Sequence, residues 1–188
     1  LGANPTELNV RVVDIKMVNA AALPGSNIVL FRELISEADG PDQVAGILAH
    51  EIAHVEQRHV TEAMIRQMGV GMIIALLGGG TGANADALLS AGHSRAAERE
   101  ADEAALQALR RANISPLPTA DFFARLAGEE RKLGAIGAGL EYLSTHPLSS
   151  DREARFRQAA EKDRRYDAAL SREEWESLFN ICFNKPAS

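Results

Sequence analysis

The chain has 188 residues, 46% of them hydrophobic and 24% charged, enough for one globular domain over residues 1–188 built around a sizeable core. Its net charge of −6 argues against a nucleic-acid surface, and the single cysteine, Cys182, excludes an intrachain disulfide. Leu1 to Pro5 has neither the basic start nor the apolar core of a signal peptide.

Residues 8–18 are rich in β-branched side chains that partly alternate, which predicts a strand. Ala22 to Asn27 is turn chemistry around Pro24-Gly25, and Ile28 to Phe31 returns as a second strand, giving a small hairpin or sheet. Leu34 to Ala38 reads as a short turn or helix. Asp39-Gly40-Pro41-Asp42 closes it and opens a long helix, about 42–67, with Pro41 or Asp42 near its N-terminus.

That helix carries His50-Glu51-Ile52-Ala53-His54, an H-E-x-x-H sequence. Residues four apart differ by roughly 40° about a helix axis, so both imidazoles leave one face, a turn apart. Placed so, they can grip one divalent ion at about 2.0–2.1 Å each. Glu51 projects roughly 100° to the side, where a carboxylate can take a proton from a water held by the metal. Two solvated histidines are the bland alternative, and context weighs against it. Val44, Leu48, Ile52 and Val55 fall on one side; Gln43, Gly46, His50, His54 and Gln57 fall on the other. The helix therefore packs with one face and offers a polar one as the wall of a site. His59, roughly 180° from His50 on the side of Leu48 and Ile52, should not reach the same ion and is expected to be structural. The metzincin spacing would need Gly at 57 and His at 60, where the chain has Gln57 and Val60.

Gly69 to Gly92 follows, with Val70 to Leu77 apolar all round and a glycine-rich break after it. The apolar run is far short of the roughly 20 residues that span a bilayer. A buried core helix, a lid over the cleft, or a patch touching a membrane or partner would each account for it, core being the commonest use of such runs.

Ser94 to Ala112 predicts a helix, about 93–112, whose inward stripe is Ala101, Ala105, Leu109 and Ala112. Glu98 and Asp102 lie within that stripe, while Glu100, Glu103, Gln107, Arg110 and Arg111 face outward. Carboxylates on a buried stripe are costly unless paired or bound to metal. Glu98 is the natural third ligand of a catalytic zinc site. Asp102, one turn on, is placed to accept from a ligating imidazole and orient it. A salt-bridge network with Arg95 or Arg99 would explain the charges but not their inward position.

Asn113 to Pro118 is a rigid connection, and Thr119 is expected to N-cap a helix through about Leu133, with Phe122, Phe123 and Leu126 as its apolar side. After the loose Gly134 to Gly139 come Thr145-His146-Pro147-Leu148 and a helix from about Ser150 to Asp163. Ser171-Arg172-Glu173-Glu174 opens a last helix through Phe183.

H-E-x-x-H followed after some tens of residues by Ser94, Arg95, Glu98, Ala101 and Asp102 in an S-R-x-x-E-x-x-A-D pattern resembles the gluzincin peptidases of the HtpX and CAAX-prenyl-endopeptidase family. Asn19 to Gly25 is similar to that family's N-A-x-x-x-P-G strand. Ser144-Thr145-His146-Pro147 with Arg152 is similar to its T-H-P-x-x-x-x-R segment. The matches cover roughly residues 10–160. The soluble BepA-like branch is nearest in character, because the membrane-spanning helices of HtpX and the prenyl endopeptidases have no counterpart here.

The resemblance implies an α+β, mainly helical, zincin-like domain with its N-terminal strands beside the active-site helix. It implies a zinc-dependent endopeptidase acting on misfolded or unassembled polypeptides, in a periplasmic or otherwise exported or membrane-associated setting. A strand near Asn19 to Pro24 would edge the cleft and could bind an extended peptide. His146 and Arg152 would lie near the metal, stabilising the oxyanion of the tetrahedral intermediate. Alternatively His146 would ligate the zinc as a latch, giving a low-turnover quality-control module. Both roles of His146 stay open, and a metal-free helical adaptor is a third reading.

Overall fold

The computed structural model describes residues 8–66, 93–133, 142, 145–146 and 151–181. The Val70–Leu77 run, the Gly134–Gly139 stretch, Pro147 and Cys182 lie outside them. Three strands come first: β1 (Asn9–Val13), β2 (Ala20–Leu23) and β3 (Asn27–Phe31), in the order β1-β3-β2. The hairpin is formed by β2 and β3, joined by a turn in which Gly25 and Ser26 both have positive φ. The expected first strand over 8–18 is shorter. It stops at Val13, where Ile15 N–H bonds to Val13 O at 2.9 Å and Met17 N–H to Ile15 O at 3.0 Å. These tight turns carry the chain across, so β1 pairs parallel with β3 and β2 becomes the opposite edge. Ala20, Ala21 and Ala22 of β2 are buried, small enough to let its backbone approach the central helix closely.

The helices are α1 (Arg32–Ser36), α2 (Pro41–Glu56), α3 (Arg95–Arg111), α4 (Leu117–Leu133), α5 (Arg152–Ala159) and α6 (Arg172–Phe179). The architecture is thus α+β and mainly helical, with a small N-terminal sheet, as expected. Central α2 is covered by β2 and β3, by α3 and by α4. Its apolar face meets a core that includes Ile28, Leu34, Ile47, Leu109, Phe122 and Phe156. Its polar face is buried too, against α3 and α4. Gly46 makes that approach possible, since a Cβ there would stand 1.7 Å from Thr119 Oγ1.

Several expected boundaries shift. The helix expected from about Ser150 to Asp163 ends at Ala159, where Ala160 turns extended, and the one expected through Phe183 ends at Phe179. The helix expected over 42–67 ends at Glu56, where Arg58 adopts a left-handed conformation with φ 59°, and resumes over 59–66. The break turns Val60 and Met64 onto Ala22 in a small apolar cluster, so burial overrides helical continuity. Thr119 is not an N-cap: α4 begins at Leu117, whose N–H is accepted by Ser115 Oγ at 3.3 Å, and Thr119 instead seats against Gly46. Ser94, which accepts from Ala97 N–H at 3.2 Å, caps α3, and Ser171 caps α6 in a capping box with Glu174. Among the described residues, no helix is long and apolar enough to cross a membrane.

Candidate metal centre

Helix periodicity puts His50 and His54 on one face of α2, and α3 delivers Glu98 opposite them. His146, from the segment before α5, closes the group. One ligand atom from each of these four buried residues lies within 4.8 Å of every other. His50 Nε2 is 2.9 Å from His54 Nε2, 3.3 Å from His146 Nδ1 and 3.4 Å from Glu98 Oε2. Glu98 Oε1 is 3.2 Å from His54 Nε2 and 3.1 Å from His146 Nδ1.

A proton cannot satisfy this arrangement. One hydrogen on His50 Nε2 serves a single neighbour and leaves other nitrogen lone pairs facing one another. A cation at the centre serves all four at once. Ligands at about 2.0–2.1 Å in a tetrahedron stand about 3.3 Å apart, close to the separations here. The residues fit a divalent metal.

The surroundings hold these four side chains in place. Asp102 Oδ1 is 3.0 Å from His50 Nδ1. Arg152, fully buried, bonds Asp102 through Nε at 2.9 Å and Nη2 at 2.7 Å, and its Nη1 lies 3.0 Å from Glu98 Oε2. Arg155 adds a contact of 2.8 Å to Asp102 Oδ2, and the Arg152 guanidinium stacks 4.2 Å above the Phe123 ring. The inward acids are therefore paired with arginines of α5, not with Arg95 or Arg99. Glu51, buried beside the group, accepts from Ala22 N–H at 2.9 Å through Oε2, while Oε1 faces His146 Nε2 at 3.4 Å.

Electrostatics follow from this packing. Burial lowers the His50 pKa, yet Glu98 and the Asp102 bond overcome it and lift it to about 9. Burial and the neighbouring His50 charge hold His54 well below its ordinary value. Burial opposes the charge on Glu98 and Asp102. His146 and His50 nevertheless pull Glu98 far below the usual carboxylate range, and bonds from His50 and Arg152 lower Asp102.

Three neighbours were not foreseen. His93 stacks on His54 with ring centroids 3.8 Å apart, and burial pushes its pKa down to about 3. Tyr142 stacks on His146 at 4.6 Å, and its carbonyl accepts the His146 N–H at 2.8 Å. His59 meets His54, Nδ1 to Nδ1, at 3.0 Å. The expectation that His59 lies beside Leu48 and Ile52 fails because the helix breaks at Arg58. His59 is nonetheless outside the four-ligand group.

An H-E-x-x-H helix faced by a carboxylate from a second helix, with a small sheet at its side, defines a zincin-like metallopeptidase domain. The chain belongs to peptidase family M48, whose profile matches residues 2–160. It is 33% identical over 141 residues to the mitochondrial metalloendopeptidase OMA1 of Saccharomyces cerevisiae, covering 71% of this chain and 41% of that protein. It is 29% identical over 186 residues to the beta-barrel assembly-enhancing protease of Yersinia pestis, covering 89% of this chain and 37% of that one. Its counterpart in Escherichia coli K12 is 31% identical over 166 residues, covering 78% and 33%. The chain thus spans about a third to two fifths of the length of these curated relatives. The family and branch expected from the motifs are the ones found.

Proposed function

We propose that this domain is a zinc-dependent endopeptidase in which His50, His54 and Glu98 hold the metal and Glu51 moves the proton. When bound, zinc supplies a Lewis acid that polarises a scissile carbonyl and acidifies a water. The Ala22 N–H fixes Glu51 Oε2, so Oε1, with no hydrogen bond among the described residues, is the atom that takes a proton from water and returns it to the leaving amine. Arg152 spends its guanidinium nitrogens on Glu98 and Asp102, which favours holding the ligands over contact with an oxyanion. The convergence of four ligand atoms beside Glu51 carries this reading.

Substrate binds as an extended polypeptide along β2, an edge strand whose Ala22 N–H points outward to Glu51. Misfolded or unassembled polypeptides in an exported or membrane-associated setting are the substrates this reading assigns; a relative named for enhancing β-barrel assembly is in keeping with unassembled proteins.

A latched, low-turnover state is the second reading. His146 Nδ1 favours it by lying as close to His50 and Glu98 as a fourth ligand would. The primary test is Glu51→Gln: it should retain zinc and lose about 10²-fold or more of casein cleavage. Wild-type turnover by that variant would overturn the assignment.

A further inference from the structure

Each helix histidine of the metal group has its outer ring nitrogen held by a different partner. For His50 that partner is Asp102. For His54 it is His59, and we propose that His59, backed by Glu100, is a positioning residue that orients His54 toward the metal through a His54–His59–Glu100 chain. This rests on the metal-site reading above.

The proton assignment is forced once His54 Nε2 faces the cluster. His54 must then carry its hydrogen on Nδ1. His59 Nδ1, 3.0 Å away, can only accept it. His59 is consequently protonated on Nε2, which needs an acceptor, and Glu100 Oε2 stands 3.2 Å from it. The chain ends in solvent, because the Glu100 side chain is 62% exposed whereas that of His59 is 4% exposed. Geometry at the end of α2 builds this link. Arg58, with φ 59°, reverses the chain so that the His59 ring returns edge-on to His54, with centroids 5.0 Å apart and planes at 69°. Carboxylate-backed imidazoles fix the tautomer and raise the basicity of a metal-ligating histidine. Here a second imidazole relays that effect from a surface acid.

The test compares zinc affinity, by chelator competition, in wild type and variants whose metal-free folding is checked by circular dichroism. His59→Leu keeps the volume and removes the acceptor; affinity should fall about 10- to 100-fold. His59→Asn puts Oδ1 where Nδ1 stood and should recover to within about threefold of wild type. Equal affinities for Leu and wild type would overturn the proposal, as would an Asn variant no better than Leu. If His59→Leu does not fold, Glu100→Ala decides, since an exposed carboxylate is not needed for the core. Its affinity should fall about three- to tenfold, and an unchanged value sinks the relay. Nitrogen NMR of the zinc-loaded wild type adds a readout that packing alone does not move: a hydrogen on His59 Nδ1 contradicts the chain. Failure of wild type to take up zinc would instead remove the metal-site reading itself.

Discussion

His50 Nδ1 stands 3.0 Å from Asp102 Oδ1, with both side chains fully buried. Asp102 is also the main partner of the buried Arg152, so one carboxylate meets the His50 ring and neutralises a cation from another helix. The link joins α2, α3 and α5 at a single residue.

Asp102→Ala should therefore fail twice. Removing one member of a buried charge pair leaves Arg152 with Glu98 as its remaining carboxylate, a loss of up to about 3–5 kcal/mol. Loss of the acceptor on His50 Nδ1 should also weaken metal binding about 10- to 100-fold. Urea denaturation of metal-free protein and chelator competition measure the two effects separately. Wild-type values in both would show that the pair is incidental.

His146 can be read by the sign of a change. Its Nδ1 lies 3.3 Å from His50 Nε2 and 3.1 Å from Glu98 Oε1, inside the ligand group. As a latch it competes with water for the open position, so His146→Ala should raise casein cleavage severalfold. As an oxyanion donor, its removal should lower turnover about 10²-fold or more. The geometry favours the gain, and a loss of that size would return the residue to the oxyanion role.

Metal should contribute to stability as well as to chemistry. A ligand bound only by the folded state stabilises it by about 4 kcal/mol at a thousandfold excess over its Kd. For a chain of this size that moves Tm by roughly 8–16 °C. Heating scans with added zinc and with chelator should differ by that order. Coincident curves would leave the metal-free adaptor as the better account.

What the sequence disclosed and what it withheld divide by range of interaction. The faces of α2 and α3 are local periodicities, so His50, His54, Glu98 and Asp102 were legible before any contact was known. Arg58 gave no warning of a helix break, being neither Gly, Pro nor Asn. Its left-handed turn is imposed by the burial of Val60 and Met64 on Ala22. The misplacement of the His59 ring beside Leu48 and Ile52 follows from that one residue. His93 and Tyr142 are single side chains brought in from elements whose pairing is purely tertiary, and no spacing could have marked them. Strand order eluded pattern reading likewise, because parallel pairing of β1 with β3 depends on the tight turns at Val13 to Met17.

Gly46→Ala offers a test that joins the fold to the site. A Cβ at Gly46 would stand 1.7 Å from Thr119 Oγ1, 2.9 Å from Thr119 Cβ and 3.1 Å from its Cγ2. Rotating the threonine exchanges one collision for another, so α2 and α4 must separate. Overpacking of this kind typically costs 1–3 kcal/mol, against about 1 kcal/mol gained from the better helix propensity of alanine. Because separation is forced on backbone, we expect a net loss of about 2 kcal/mol by urea denaturation. Gly46 lies one turn before His50 on the same face, so displacement of α2 should also weaken zinc binding. Thr119→Ala added to Gly46→Ala should restore part of both, since Cβ at 119 still crowds the new methyl. A Gly46→Ala protein as stable as wild type would mean that the two helices are not in close contact at this point, and the path by which α4 supports the H-E-x-x-H face would be lost.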